Sequence, residues 1–332
     1  MPLMHVHAEK IADWLLAGLE LKSTLFHVGQ YCGSWQASTA GHQQASFHVV
    51  LHGECWLHLP ARAGRAATSV RLTQGDAVFL LHDMPHCLSP LPVAPPAGQE
   101  SQKAGLMQPL SSDETPAQQS LGLACGFFEF RSGLDDQLLG LIPDHIVARH
   151  EIAAPDGPRA VFDLIRAEAQ RHNGAPSPLI ARLTELLFFY ALRSVAARED
   201  IAPGLWSLMR RAEFAPLITA IIDTPAERWT TDRMADFVHM SRARFCKQFV
   251  EACGQPPAQF VTLVRMKVAA AMLRNGTTTP DAAEQVGYQS ESAFAQAFKR
   301  VTGEQPGAYR RTRRQEPVAS SFGIDEKQAA LH

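Results

Sequence analysis

No stretch of this 332-residue sequence stays apolar for the eighteen or so residues that a membrane-spanning helix needs. The opening MPLMHVHAEKIADWLLAGLE has no basic segment and no small-residue cleavage site, so no secretory signal is expected. Six cysteines (32, 55, 87, 125, 246 and 253) include no CxxC pair, which excludes a paired-cysteine motif. A cytoplasmic protein with mostly reduced thiols and no membrane partner is the expectation. Charge is also scarce, with 19% charged residues and a net charge of −2. What is present is 46% apolar residues over a length that suits two domains.

The small net charge hides an asymmetry. Before Leu205 there are 14 Lys+Arg against 20 Asp+Glu; from Leu205 onward there are 17 against 13. Twelve of the fourteen histidines lie in the acidic part. A basic C-terminal part behind an acidic, His-rich one points to a polyanion partner for one part and a different task for the other.

From Phe26 to Leu88 short β segments alternate with turn residues. In FHVVLHGECWLHL, Phe47, Val49, Leu51, Cys55, Leu57 and Leu59 share one parity, and His48, His52, Glu54 and His58 the other. This predicts a strand pair turning at Gly53-Glu54, with the apolar parity facing the interior. SVRL, a QGD turn and AVFLL follow, and LGLACGFFEF returns to the sheet. Short strands at this spacing predict a barrel or sandwich. The Pro-, Gly-, Ser- and Gln-rich stretch over 89–120 shows no period and is expected to be a disordered loop. Helices are expected over Arg159–His172 and Pro178–Ala197. In the second, Leu179, Leu183, Leu186, Leu187 and Tyr190 form an apolar stripe that serves either core packing or a dimer.

The last third holds an internal repeat at about fifty residues. Ala235, Val238, Ser241, Phe245, Phe249 and Gly254 are matched by Ala283, Val286, Ser290, Phe294, Phe298 and Gly303. Phe260 and Tyr309 each stand six residues beyond the glycine. Each copy reads as a short helix, a tight turn and a longer helix with Ser241 or Ser290 as N-cap. That is helix-turn-helix geometry, whose second helix enters the DNA major groove. With the phenylalanines inward, the outward face carries Arg242, Ala243, Cys246 and Lys247 in copy one. In copy two it carries Glu291, Ser292, Ala295 and Gln296. Arg242, Arg244, Lys247, Lys299 and Arg300 are placed to neutralise phosphates. Pro256-Pro257 opens and Asn275-Gly276 stops a long helix joining the copies. Pro280 fits the first turn of a helix capped by Thr279.

WTTDRMADFVHMSRARFCKQF, GQPPAQFVTLVRMKVAAAMLR and VGYQSESAFAQAFKRVTGEQPGAYRR resemble the AraC/XylS transcription regulators over roughly a hundred residues. The resemblance implies two helix-turn-helix subdomains bridged by a linker helix and reading two successive major-groove turns of double-stranded DNA. Its base-reading positions fall on Ala243, Cys246 and Lys247, and on Ser292, Ala295 and Gln296. It also implies RNA polymerase as a partner, a homodimer and an activator. Thr279 and Ala282 stand where the family usually has branched aliphatics, which predicts a thinner core and a looser second reader. Glu291 repels phosphate, yet can accept a hydrogen bond from cytosine N4.

The first two hundred residues resemble the cupin-type sensor domain of one subgroup of these regulators. That subgroup includes a reactive-chlorine-responsive activator with cysteines at positions matching Cys32 and Cys125. The resemblance implies a two-domain α+β chain. A cupin-like β-barrel with flanking helices occupies 1–200, two helix-turn-helix subdomains occupy 205–314, and a disordered tail 315–332. The barrel is expected to sense a small molecule or an oxidant, in the latter case through Cys32 and Cys125, with His27 or His86 supplying positive charge. The competing reading is a metal-binding cupin, enzyme or sensor, using His48, His52, His82 and His86. The closely spaced HxH pair of enzymatic cupins is missing, so a regulator that is no enzyme and needs no cofactor is the expectation.

Overall fold

The computed structural model describes residues 10–17, 19, 21–62, 66–95, 107–108, 120–130, 133–150, 157–172, 175–195 and 204–315. Most of the stretch over 89–120, and all but the first residue of 315–332, lie outside them.

After a short helix, α1 (10–16), the described residues of the N-terminal part form nine strands in two sheets. They are β1 (Leu21–Cys32), β2 (Ala45–His52), β3 (Glu54–Leu59), β4 (Thr68–Thr73), β5 (Ala77–Leu80), β6 (Cys87–Ser89), β7 (Met107–Gln108), β8 (Ser120–Phe130) and β9 (His145–Ala148). One sheet has the order β7-β1-β8-β2-β5-β9 and the other β4-β3-β6, with every pairing antiparallel. Among the described residues the two sheets do not close on each other, so the expected barrel is a two-sheet sandwich. β2 and β3 sit in different sheets. The left-handed Gly53 therefore passes the chain between layers and does not form the expected hairpin.

The layers also reverse the expected facing of β2. Phe47, Val49 and Leu51 point away from the second sheet and pack with Phe79, Phe128 and Phe188 under the helices. His48 and Val50 point between the sheets, where Val50, Cys55, Leu57, Leu72, Leu123 and Cys125 form the inner core. Alternation identified the two faces correctly. It misassigned them because both faces of this sheet are covered, so apolar character alone does not select the inter-sheet side.

Helices α2 (Gly133–Leu139), α3 (Gly157–Arg171) and α4 (Pro178–Val195) follow, then α5 (Leu205–Met209) and α6 (Phe214–Asp223). The helical C-terminal part continues with α7 (Thr231–Phe237), α8 (Arg242–Cys253), α9 (Pro257–Arg274), α10 (Thr279–Gln285), α11 (Glu291–Thr302) and α12 (Pro306–Gln315). The N-cap of α10 is Thr278, which accepts from the Asp281 amide, one residue before the cap expected from Pro280. Ala282 is fully buried, so the small residue is accommodated by close packing.

The two parts touch through specific polar contacts. The amide of Leu205 donates to Leu141 O, and that of Gly204 to Ala252 O, both at 2.8 Å. Lys267 of α9, only 5% exposed, donates through Nζ to Leu15 O at 3.2 Å and Ala17 O at 2.5 Å. These carbonyls lie at the C-terminal end of α1, where a cation is favoured by the helix dipole and by unsatisfied acceptors. At the other end of α1, Lys10 pairs with Asp223 at 2.6 Å.

Candidate nucleic-acid interface and sensor core

The two copies of the repeat fold alike because the same three devices recur. Ser241 and Ser290 cap α8 and α11, accepting from the amides of Arg244 and Ala293. Phe245 with Phe249, and Phe294 with Phe298, lie inward with no exposed surface. Gly254 and Gly303 end the helices in the left-handed conformation, each at φ 82°. The turns match as well: His239 at φ 54° in copy one occupies the place of Gly287 at φ 80° in copy two.

Burying those phenylalanines turns the N-terminal face of each second helix to solvent. Ser241, Arg242, Ala243, Arg244 and Lys247 are exposed and Cys246 is half-buried. In copy two Ser290, Glu291, Ser292, Gln296 and Lys299 are exposed and Ala295 is half-buried. Arg242 makes only loose contacts of 3.4 Å to Asp232, and Lys247 lies 4.0 Å from Glu251. Exposed pairs of this kind contribute little and leave both cations available to phosphates. The two halves differ in chemistry: copy one is cationic, while copy two offers a carboxylate, a hydroxyl and an amide.

Between the sheets of the N-terminal part lies a polar row. Register places His27 of β1 beside Cys125 of β8, and Cys125 beside His48 of β2. His48 Nδ1 is 3.1 Å from Cys125 Sγ, and His48 Nε2 is 3.2 Å from His86 Nε2. His86 donates from Nδ1 to Met84 O at 2.7 Å, and its Nε2 also receives the Thr39 amide at 3.2 Å. This assigns a chain of donors in one direction, Cys125 S–H to His48, His48 N–H to His86 and His86 N–H to Met84 O. Burial, reinforced by His86 and His27, holds the His48 imidazole well below its ordinary pKa. Burial does the same to His86, against the opposing pull of the Met84 carbonyl and Asp83. His27 is likewise lowered by burial. Burial thus disfavours the positive charge expected from His27 or His86 beside a sensor thiol. Burial pushes the Cys125 thiol up, with a smaller contribution from Cys55.

Of the four histidines considered for metal, the fold joins two. His48 and His86 meet, His52 stands by Ser120 at 3.3 Å, and His82 is exposed on a turn. No group of three His, Cys, Asp or Glu with metal-binding geometry exists among the described residues. Cys32 and Cys125 are also separated. Cys32 pairs with Ser120, five residues from Cys125 along β8, which is about 17 Å at a strand's rise per residue. A direct bridge between them is excluded in this arrangement. Thr39, which bonds Ser46 at 2.7 Å and touches His86, went unnoticed in the sequence because nothing local marks it.

A two-sheet domain around a buried polar row, followed by a helical domain whose two register-matched helix pairs expose their helix N-termini, is the arrangement of a two-domain DNA-binding protein. Comparison with known proteins agrees. A cupin family model matches residues 13–197 and a helix-turn-helix domain model matches 234–312. An uncharacterized HTH-type transcriptional regulator of Haemophilus influenzae is 28% identical over 292 residues, 85% of this chain and 92% of that protein. The RCS-specific HTH-type transcriptional activator RclR of Escherichia coli is 30% identical over 158 residues, 47% of this chain and 56% of its own. A putative AraC-like transcription regulator of Streptomyces lividans is 26% identical over 285 residues, 84% of this chain and 90% of that protein. The chain belongs to the cupin-containing regulators of the AraC family.

Proposed function

We propose that this protein is a cytoplasmic, sequence-specific DNA-binding transcription activator, without enzymatic activity, whose N-terminal sandwich receives an effector. The observation that carries the reading is the pair of register-matched units, each presenting a capped, solvent-facing helix N-terminus over a fully buried phenylalanine pair. The direct test is selection of duplexes from a randomised library by the full-length protein. A bipartite enriched sequence is expected, and the absence of any enrichment would refute the reading. Read against promoters, the enriched sequence also identifies where RNA polymerase is recruited.

Dimerisation is part of the proposal. On α4, Leu187 is core, whereas Leu179 and Leu186 are 50% and 43% exposed, and Leu164 of α3 is 56% exposed. The free stripe is thus Leu179 and Leu186, flanking the half-buried Leu183 that packs on the core, and a second copy covers it. Replacing Leu179 and Leu186 by glutamate should convert a dimer into a folded monomer in sedimentation at micromolar concentration. An unchanged sedimentation coefficient would remove this face as the interface.

The effector is a small molecule or an oxidant. RclR is specific for reactive chlorine, and Cys32, half-buried with Gln30 at 3.5 Å, is the more accessible of the two thiols singled out. If an oxidant is the signal, Cys32→Ser and Cys125→Ser should each reduce reporter induction by hypochlorite. Induction unchanged in both variants would assign the signal to a small ligand in the sandwich.

A further inference from the structure

The linker helix holds a clamp between the two reading units. Arg265 of α9 donates from Nε to Pro225 O and from Nη2 to Glu227 O, both at 2.8 Å. Those carbonyls belong to the loop that leads into Thr230, the N-cap of α7 in the first unit. The same guanidinium lies over the ring of Tyr288, 5.7 Å from its centroid, in the turn of the second unit. Tyr288 in turn packs edge-on against Phe294, the first inward anchor of α11, with centroids 5.6 Å apart. The loop and the turn also touch directly. A Cβ on Gly287 would lie 2.3 Å from Ala226 O, so only glycine permits this approach.

We infer that Arg265, with Gly287, is a positioning device that presets the separation and rotation of α8 and α11, and so determines the half-site spacing the protein accepts. Arg265 serves both units at once. Its planar fork bonds the Pro225 carbonyl and also the Glu227 carbonyl, which receives the Trp229 amide as well, while its face holds the aromatic ring of the other unit. Lysine, a single point of charge on a flexible stem, cannot do both. Two readers on a rigid frame bind two correctly spaced half-sites almost as one event, whereas readers on a loose frame lose that advantage but tolerate other spacings. Arg265 does not lie on either reading face, so this effect is separate from base or phosphate contact.

The inference rests on the DNA-binding reading, and its test separates the two. The full-length wild type, Arg265→Lys and Gly287→Ala are measured on the selected duplex, on duplexes with one base pair inserted or removed between half-sites, and on a single half-site. Wild type should lose at least about tenfold on the respaced duplexes, the factor that accompanies roughly one good charged hydrogen bond. Both variants should lose about tenfold on the selected duplex, lose only about two- to threefold more on respacing, and match wild type on the half-site. Far-UV circular dichroism confirms that each variant is folded, and either folded variant alone decides the result. Equal losses on all duplexes, half-site included, would show a general stabilising role and overturn the inference, as would unchanged spacing selectivity. A wild type that enriches no sequence would instead overturn the DNA-binding reading beneath it.

Discussion

Alanine at Gln296 is expected to cost base discrimination, and alanine at Lys247 to cost salt-dependent affinity, so the two substitutions should separate cleanly. Gln296 is exposed on α11, and its amide can donate and accept together against one adenine edge. Its loss should weaken the cognate duplex by about 1–3 kcal/mol and relax preference at a base pair in one half of the site. Lys247 is exposed on α8 and held only loosely by Glu251. Its loss should weaken all sequences alike and lower the slope of log affinity against log salt by about one. For the wild type, contacts from the five cations on these helices would imply a fall of roughly a few hundredfold between 50 and 200 mM salt. Titrations of both variants at several salt concentrations check this. A Gln296→Ala protein with unaltered selectivity would take that residue off the reading face.

The N-terminal core should make the protein acid-labile in a defined window. His48 and His86 are 1% and 3% exposed, and burial lowers both imidazoles from the ordinary value of 6.5. Around and below pH 6.5 the unfolded chain therefore takes up these protons more readily than the folded one. The unfolded state then binds more protons, so stability falls as pH drops through and below 6.5. Each such histidine contributes a slope of at most about 1.4 kcal/mol per pH unit. Urea midpoints at pH 7.5, 6.5 and 5.5 measure it, and His48→Gln should make the dependence below 6.5 shallower. A stability independent of pH from 7 to 5.5 would mean that the histidines are protonated in the folded core. The donor chain from Cys125 to Met84 O would then be broken.

The C-terminal part was legible because its signals are local and occur twice. Ser241 and Ser290, the two phenylalanine pairs and the closing glycines each act within one helix, through capping, an i, i+4 face and a left-handed terminus. Their repetition set the register and turned Arg242, Lys247, Ser292 and Gln296 outward without reference to any distant residue. The cap expected at Thr279 falls on Thr278, a single position at a helix end, where neighbouring hydroxyls compete for the same amide.

In the N-terminal part the sequence determined where most strands run and which residues share a face. Which face looks into the sandwich was decided only by tertiary structure, because helices cover the outer side of the large sheet as thoroughly as the small sheet covers the inner one. The same layering brought His48, His86, Thr39 and Cys125 together from four separate segments. It also set Cys32 about five residues along the strand from any match with Cys125. Arg265 belongs to this second class: its own helix is evident from Pro257 to Arg274, but its partners lie on loops 40 residues before it and 23 after. Backbone capping and helical periodicity are written into neighbouring residues, whereas a core or a clamp joins residues whose proximity exists only once the chain has closed on itself.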